Sequence, residues 1–102
     1  MMVIIESPFA GDFVKNRAYA NECLRDSLLR GESPFASHLL YTEALDDTIP
    51  KERFIGIQAG LEIGKLADKT IVYTDLGVSH GMQLGIKSAL DNERVIEYRS
   101  IR

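Results

Sequence analysis

Met2-Val3-Ile4-Ile5 is a continuous apolar run rich in β-branched residues. Such a run predicts a strand buried on both faces. Residues 6–13 carry Pro8, Gly11 and Asp12 and predict a loop. Residues 14–30 predict a helix with an apolar face of Val14, Ala18, Cys23, Leu24 and Leu28, stopped by Gly31. Residues 33–37 predict a short second strand, weakened by Pro34 near its start. Residues 38–49 are ambiguous: 42–45 suit a helical turn, which Asp46-Asp47-Thr48 breaks. Pro50 fits the first turn of a long helix reaching about residue 66. Residues 68–73 predict the third strand, 81–91 the third helix and 94–98 the fourth strand.

The order is therefore βαβαβαβ. That alternation predicts an α/β domain with a parallel sheet, helices on both faces and right-handed crossovers. Ligands of such sheets sit beyond the carboxyl ends of the strands, where the strand order reverses. Residues 7–13, 37–41 and 75–83 should converge there.

Composition narrows the function. A chain of 102 residues makes one domain, 1–102, and 45% apolar content supports a modest core. A small core makes a homo-oligomer the expected state. The net charge of −3, with its cations scattered, argues against a nucleic-acid binder. One cysteine, Cys23, excludes an internal disulfide, and two distant histidines supply a metal poorly, so no metal and no cofactor are expected. The first residues carry no basic leader, and no apolar stretch approaches spanning length, so a cytoplasmic protein without a membrane partner is expected.

The richest chemistry lies in Ser79-His80-Gly81-Met82-Gln83-Leu84-Gly85. It follows a strand and a turn and opens a helix. The first backbone N–H groups of a helix have no partner inside it, and the helix dipole adds positive potential there. Ser79 suits the cap, and Gly81 lets a ligand approach the backbone. No carboxylate stands between Ser79 and Leu90. A ligand at this turn is thus expected to meet the Gln83 amide rather than an acid.

Other candidates carry two readings each. In Glu6-Ser7-Pro8-Phe9-Ala10-Gly11-Asp12, the amides around Gly11 suit a phosphate and Asp12 a ribose hydroxyl; alternatively Asp12 caps the first helix. His38 faces the same crevice as a ligand contact, or bonds a loop carbonyl. His80 lies in the helix-three turn, where it contacts ligand or is simply solvated. Asp46-Asp47 suits acid–base chemistry or a solvated loop capping the next helix, the commoner outcome. Phe9, Tyr19 and Tyr41 suit stacking on a base or core packing. Gly56, Gly60 and Gly64 recur at a spacing of four. Each costs about 1 kcal/mol relative to alanine in a helix, so the stripe implies close approach, across a homodimer or onto the sheet.

On these residues the chain resembles the nucleoside 2-deoxyribosyltransferase-like superfamily and its small 2′-deoxynucleoside 5′-phosphate N-hydrolases. It is similar above all to short phage and bacterial domains of that kind. The features are Ser7-Pro8-Phe9-Ala10-Gly11-Asp12, Asn16, Tyr19-Ala20, Ser37-His38-Leu39, Leu45-Asp46-Asp47, Pro50-Lys51-Glu52-Arg53, Gly60-Leu61-Glu62, Ala67-Asp68 and Ser79-His80-Gly81-Met82. The resemblance implies a flavodoxin- or Rossmann-like three-layer sandwich with a four-stranded parallel sheet. It also implies a nucleoside or nucleotide ligand, with its phosphate against the first loop and the Ser79-His80-Gly81 turn.

In the enzymes, a glutamate in Gly-Met-Glu-Leu-Gly or Gly-Tyr-Glu-Leu-Gly attacks the anomeric carbon. Here that segment reads Gly81-Met82-Gln83-Leu84-Gly85, and the position of a second acid is matched by Gly60. The resemblance therefore implies binding without the glutamate nucleophile, in a protein that sequesters or senses a nucleotide. An N-glycosidase using Asp12, Asp46, Asp47 or Glu62, and a non-catalytic homo-oligomeric interaction protein, are the alternatives. The expected ligand contacts are Ser7, Phe9, Gly11, Asp12, His38, Ser79, Gly81, Met82 and Gln83; no catalytic residue is assigned.

Overall fold

A computed structural model describes residues 1–102. The elements are β1 (Met2–Glu6), α1 (Phe13–Leu29), β2 (Ser33–Phe35), α2 (Ser37–Leu40), a 3-10 turn (Tyr41–Glu43), α3 (Pro50–Gly64), β3 (Lys69–Tyr73), α4 (His80–Asp91) and β4 (Val95–Arg99). All strand pairs are parallel, in the order β2-β1-β3-β4. Register is fixed by Ile4 opposite Thr70 and Thr70 opposite Ile96. The four-stranded parallel α/β sandwich expected from the alternation is what the chain forms. One element is added: the ambiguous 38–49 stretch opens with the four-residue α2.

The central strands β1 and β3 bury both faces. Val3, Ile5, Ile71 and Tyr73 pack on one side against Tyr19 and Cys23 of α1. On the other side Ile4 lies near Gly64 of α3, and Thr70 accepts a 2.9 Å hydrogen bond from Arg94 Nε. The sheet thus separates α1 from α3 and α4, giving three layers. No helix is long and apolar enough to cross a membrane.

The α1 face differs from the expected one. Val14, Ala18 and Leu28 are exposed; Asn16, Tyr19, Ala20, Cys23 and Ser27 are buried. Polar side chains occupy the inward stripe because each finds a partner there. Tyr19 OH donates to Asp75 at 2.6 Å, and Ser27 Oγ to Glu32 at 2.8 Å. Asn16 Nδ2 donates to the carbonyls of Phe9 and Ala10 at 3.1 and 3.0 Å. This last pair of bonds fixes the loop after β1.

Candidate functional site

The strand order reverses between β1 and β3, since the chain leaves β1 for β2 on one side and crosses to β3 on the other. A cleft opens beside that point, with an empty volume of about 1090 Å³ including open solvent at its mouth. Its walls come from the end of β1 and the loop after it, α2 and the 3-10 turn, the inner face of α3, and the first turns of α4.

The α4 entrance is built by Ser79. Its hydroxyl accepts from Met82 N–H at 3.3 Å, and its own N–H reaches Met82 Sδ at 3.3 Å. Gln83 N–H is taken by the Ser79 carbonyl at 3.0 Å. The N–H groups of His80 and Gly81 have no partner in the chain. Arg53 of α3 stands alongside: its Nη2 is 3.6 Å from where a Cβ on Gly81 would lie, and its Nη1 bonds Asp47 at 2.7 Å.

Of the expected contacts, Ser7, Phe9, His38, Ser79, Gly81 and Met82 border the cleft, whereas Gly11, Asp12 and Gln83 do not. Gly11 takes φ +100°, which its glycine identity permits, and Asp12 caps α1 by accepting from Lys15 N–H at 3.1 Å. Gln83 is exposed. Tyr19 belongs to the core, while Phe9 and Tyr41 border the cleft. His80 borders the cleft too, with its side chain largely exposed.

Ser7 Oγ and His38 Nε2 are hydrogen bonded at 2.7 Å, and the His38 and Phe9 rings form a T-shaped pair with centroids 6.3 Å apart. Burial holds His38 down to about 4, so the imidazole is neutral at neutral pH. The paired acids separate. Asp46 is exposed and accepts from Thr48, while Asp47 is turned to Arg53. Neither caps α3, whose N-cap Ile49 makes no side-chain bond; Glu52 instead reaches back to Asp46 N–H at 3.0 Å.

The glycine stripe is turned toward its own chain rather than to a second copy. A Cβ on Gly56 would lie 3.4 Å from Leu45, one on Gly60 2.6 Å from Ser37 Oγ, and one on Gly64 3.4 Å from Arg94. The expected dimer contact across these glycines is replaced by close approach of α2, Leu45 and Arg94, and all three glycines border the cleft.

An acid does reach the α4 turn. Glu6, the last residue of β1, projects into the cleft beside Gly85. A Cβ on Gly85 would overlap the carboxyl group. Burial pushes Glu6 up to about 8, against the opposing charge of Arg94. The expectation that a ligand here meets only an amide is therefore corrected. The chain around Gln83 indeed lacks acids; the carboxyl arrives from a strand distant in sequence. A charged residue closing a buried parallel strand at its carboxyl end was the signal for Glu6. Arg53 and Arg94 gave no comparable local signal. No cluster of His, Cys, Asp and Glu side chains forms a metal-ligand set.

The fold is similar to a solved 2-deoxyribosyltransferase from the psychrotolerant bacterium Bacillus psychrosaccharolyticus, with TM-score 0.69 and 20% identity over 98% of this chain and 72% of that one. At that identity the likeness establishes the nucleoside 2-deoxyribosyltransferase-like fold. No curated protein gives a significant match. The sequence model of one family, described as "Domain of unknown function (DUF7768)", matches residues 1–99, and the chain belongs to that family.

Proposed function

We propose that this chain binds a nucleoside phosphate in the cleft beside β1 and β3, and sequesters or senses it without a glutamate nucleophile at position 83. The observation that carries this reading is the entrance of α4. Two N–H groups, those of His80 and Gly81, are unpaired, and the Arg53 guanidinium stands beside Gly81 at the point of strand reversal. Backbone donors, helix dipole and a fixed cation together suit a phosphate. Phe9 and Tyr41 also border the cleft and offer aromatic surface for a base. The fold's likeness to a deoxyribosyltransferase supports a nucleoside rather than another phosphorylated metabolite.

The rival set of catalytic acids finds little support. Asp12 caps α1, Asp46 is held in a turn, Glu62 pairs with Lys65, and only Asp47 borders the cleft, tied to Arg53. Self-association belongs to the same reading, through a face other than the glycine stripe. Phe54 and Ile55 on the outer side of α3 are 62% and 47% exposed, and light scattering measures the resulting mass.

Titration calorimetry against mono-, di- and cyclic nucleotides tests the binding. A panel member that binds and loses affinity on Arg53→Ala supports the proposal; no binding by any overturns it. Chromatography of the same mixtures checks the absence of chemistry, which release of free base would contradict.

A further inference from the structure

We propose that Glu6 reads the sugar of the ligand, its carboxyl group bonding the pentose hydroxyls of a molecule whose phosphate lies at Gly81 and Arg53. The inference rests on the nucleoside-phosphate reading and adds to it the residue that contacts the sugar.

Three observations carry it. First, Glu6 projects into the cleft, and no donor of the chain hydrogen bonds its carboxyl group. A carboxyl group partly withdrawn from water without a partner is costly to keep unless something else satisfies it. Arg94 is the cation whose charge acts on it, but its Nε is committed to Thr70 and its Nη1 is buried without an acceptor. Second, the seat is shaped for it. Gly85 stands where any Cβ would displace the carboxyl, and it is placed by the same helix that carries the phosphate donors.

Third, the spacing fits. Gly81 and Gly85 share one face of α4, one turn apart, so the anion end and the Glu6 carboxyl are separated by about 6 Å along the axis. That is the span from a 5′-phosphate to the hydroxyls of its own pentose; the base lies farther out, toward Phe9 and Tyr41. A sugar hydroxyl both donates and accepts, so it satisfies the carboxyl in either protonation state. The near-neutral protonation of Glu6 also spares a phosphate a second negative charge nearby.

Calorimetric titration of wild type, Glu6→Ala and Gly85→Ala with ribose 5-phosphate, adenosine 5′-monophosphate and inorganic phosphate tests this, with circular dichroism to verify folding. Glu6→Ala should weaken both sugar phosphates by about tenfold and leave inorganic phosphate within about twofold. Gly85→Ala, which pushes the carboxyl from its seat, should act in the same direction. Unchanged affinity of Glu6→Ala for ribose 5-phosphate overturns the inference alone. If wild type binds ribose 5-phosphate but no nucleotide, the nucleotide reading falls and the sugar contact stands. If it binds none of the three, both fall.

Discussion

Ser37 rests directly on Gly60: a Cβ at position 60 would stand 2.6 Å from the Ser37 hydroxyl oxygen and 2.8 Å from its Cβ. The short helix α2 is thereby pressed onto α3, and His38, the next residue, is delivered to the cleft. Because the Ser37 Cβ is close to backbone, it cannot swing away, and α2 must move if Gly60 gains a side chain.

Gly60→Ala should therefore cost stability despite alanine's better helix propensity. Overpacking costs about 1–3 kcal/mol, offset by about 1 kcal/mol of propensity, which leaves a net loss of roughly 1 kcal/mol. Adding Ser37→Gly removes the clash and should restore the denaturation midpoint. A double variant no better than Gly60→Ala would mean that the glycine serves some other contact, such as one between copies.

Glu6 and His38 give the stability profile two opposed slopes. Glu6 is pushed from 4.5 to about 8 by burial, with Arg94 opposing. As pH rises from 4.5 the unfolded chain loses this proton first, so stability falls until about pH 8. His38 is held from 6.5 down to about 4 by burial, so its contribution is lost as pH falls through that window. Glu6→Gln keeps a neutral group in the cleft beside Arg94, Ser7 and Gly85. Its melting temperature should exceed that of wild type at about pH 9 and match it near pH 4.5. A difference that stays constant with pH would remove Glu6 as the cause.

Much of the architecture was legible because buried parallel strands read as unbroken apolar runs, as in Val3-Ile4-Ile5 and Ile71-Val72-Tyr73. The inward face of α1 was not. Its buried stripe carries Asn16 and Ser27, whose partners lie in loops that periodicity does not see. The place of the cleft followed from the topology rule, and Ser7, Phe9 and residues 79–82 arrive as that rule requires. Arg53 and Arg94 did not stand out because each acquires meaning only from a neighbour on another element, Gly81 and Thr70 respectively, whereas the signal for Glu6 was its place at the carboxyl end of β1.

Gln83 is exposed and does not border the cleft. Gln83→Glu should therefore leave adenosine 5′-monophosphate affinity within about twofold and produce no free base. An acid in the first turn of α4 should instead add about 0.3–1 kcal/mol through the helix dipole, read from thermal melts at low salt. Base release by this variant would place residue 83 at the reacting centre after all.

The bond between Arg99 and Glu32 supplies the sharpest stability prediction. Arg99 Nη1 and Nη2 donate to the two Glu32 oxygens at 2.8 and 2.6 Å, with side chains only 6% and 11% exposed. This fork ties the end of β4 to the turn before β2, and Lys69, Tyr73 and Glu97 join it. Arg99→Met leaves Glu32 with Ser27 and a more distant Lys69, and should cost about 3–5 kcal/mol. Arg99→Lys should recover little, since an ammonium cannot reproduce the two-pronged contact. The Glu32 carboxyl is held down to about 2, first by the hydrogen bonds from Arg99. Its contribution is full above pH 4.5 and lost as pH falls toward 2, so the gap between wild type and Arg99→Met should narrow in acid. Urea denaturation at neutral pH and at about pH 3 measures both effects. A loss below about 1 kcal/mol at neutral pH, or a gap that widens in acid, would show that the fork does not hold this corner of the sheet.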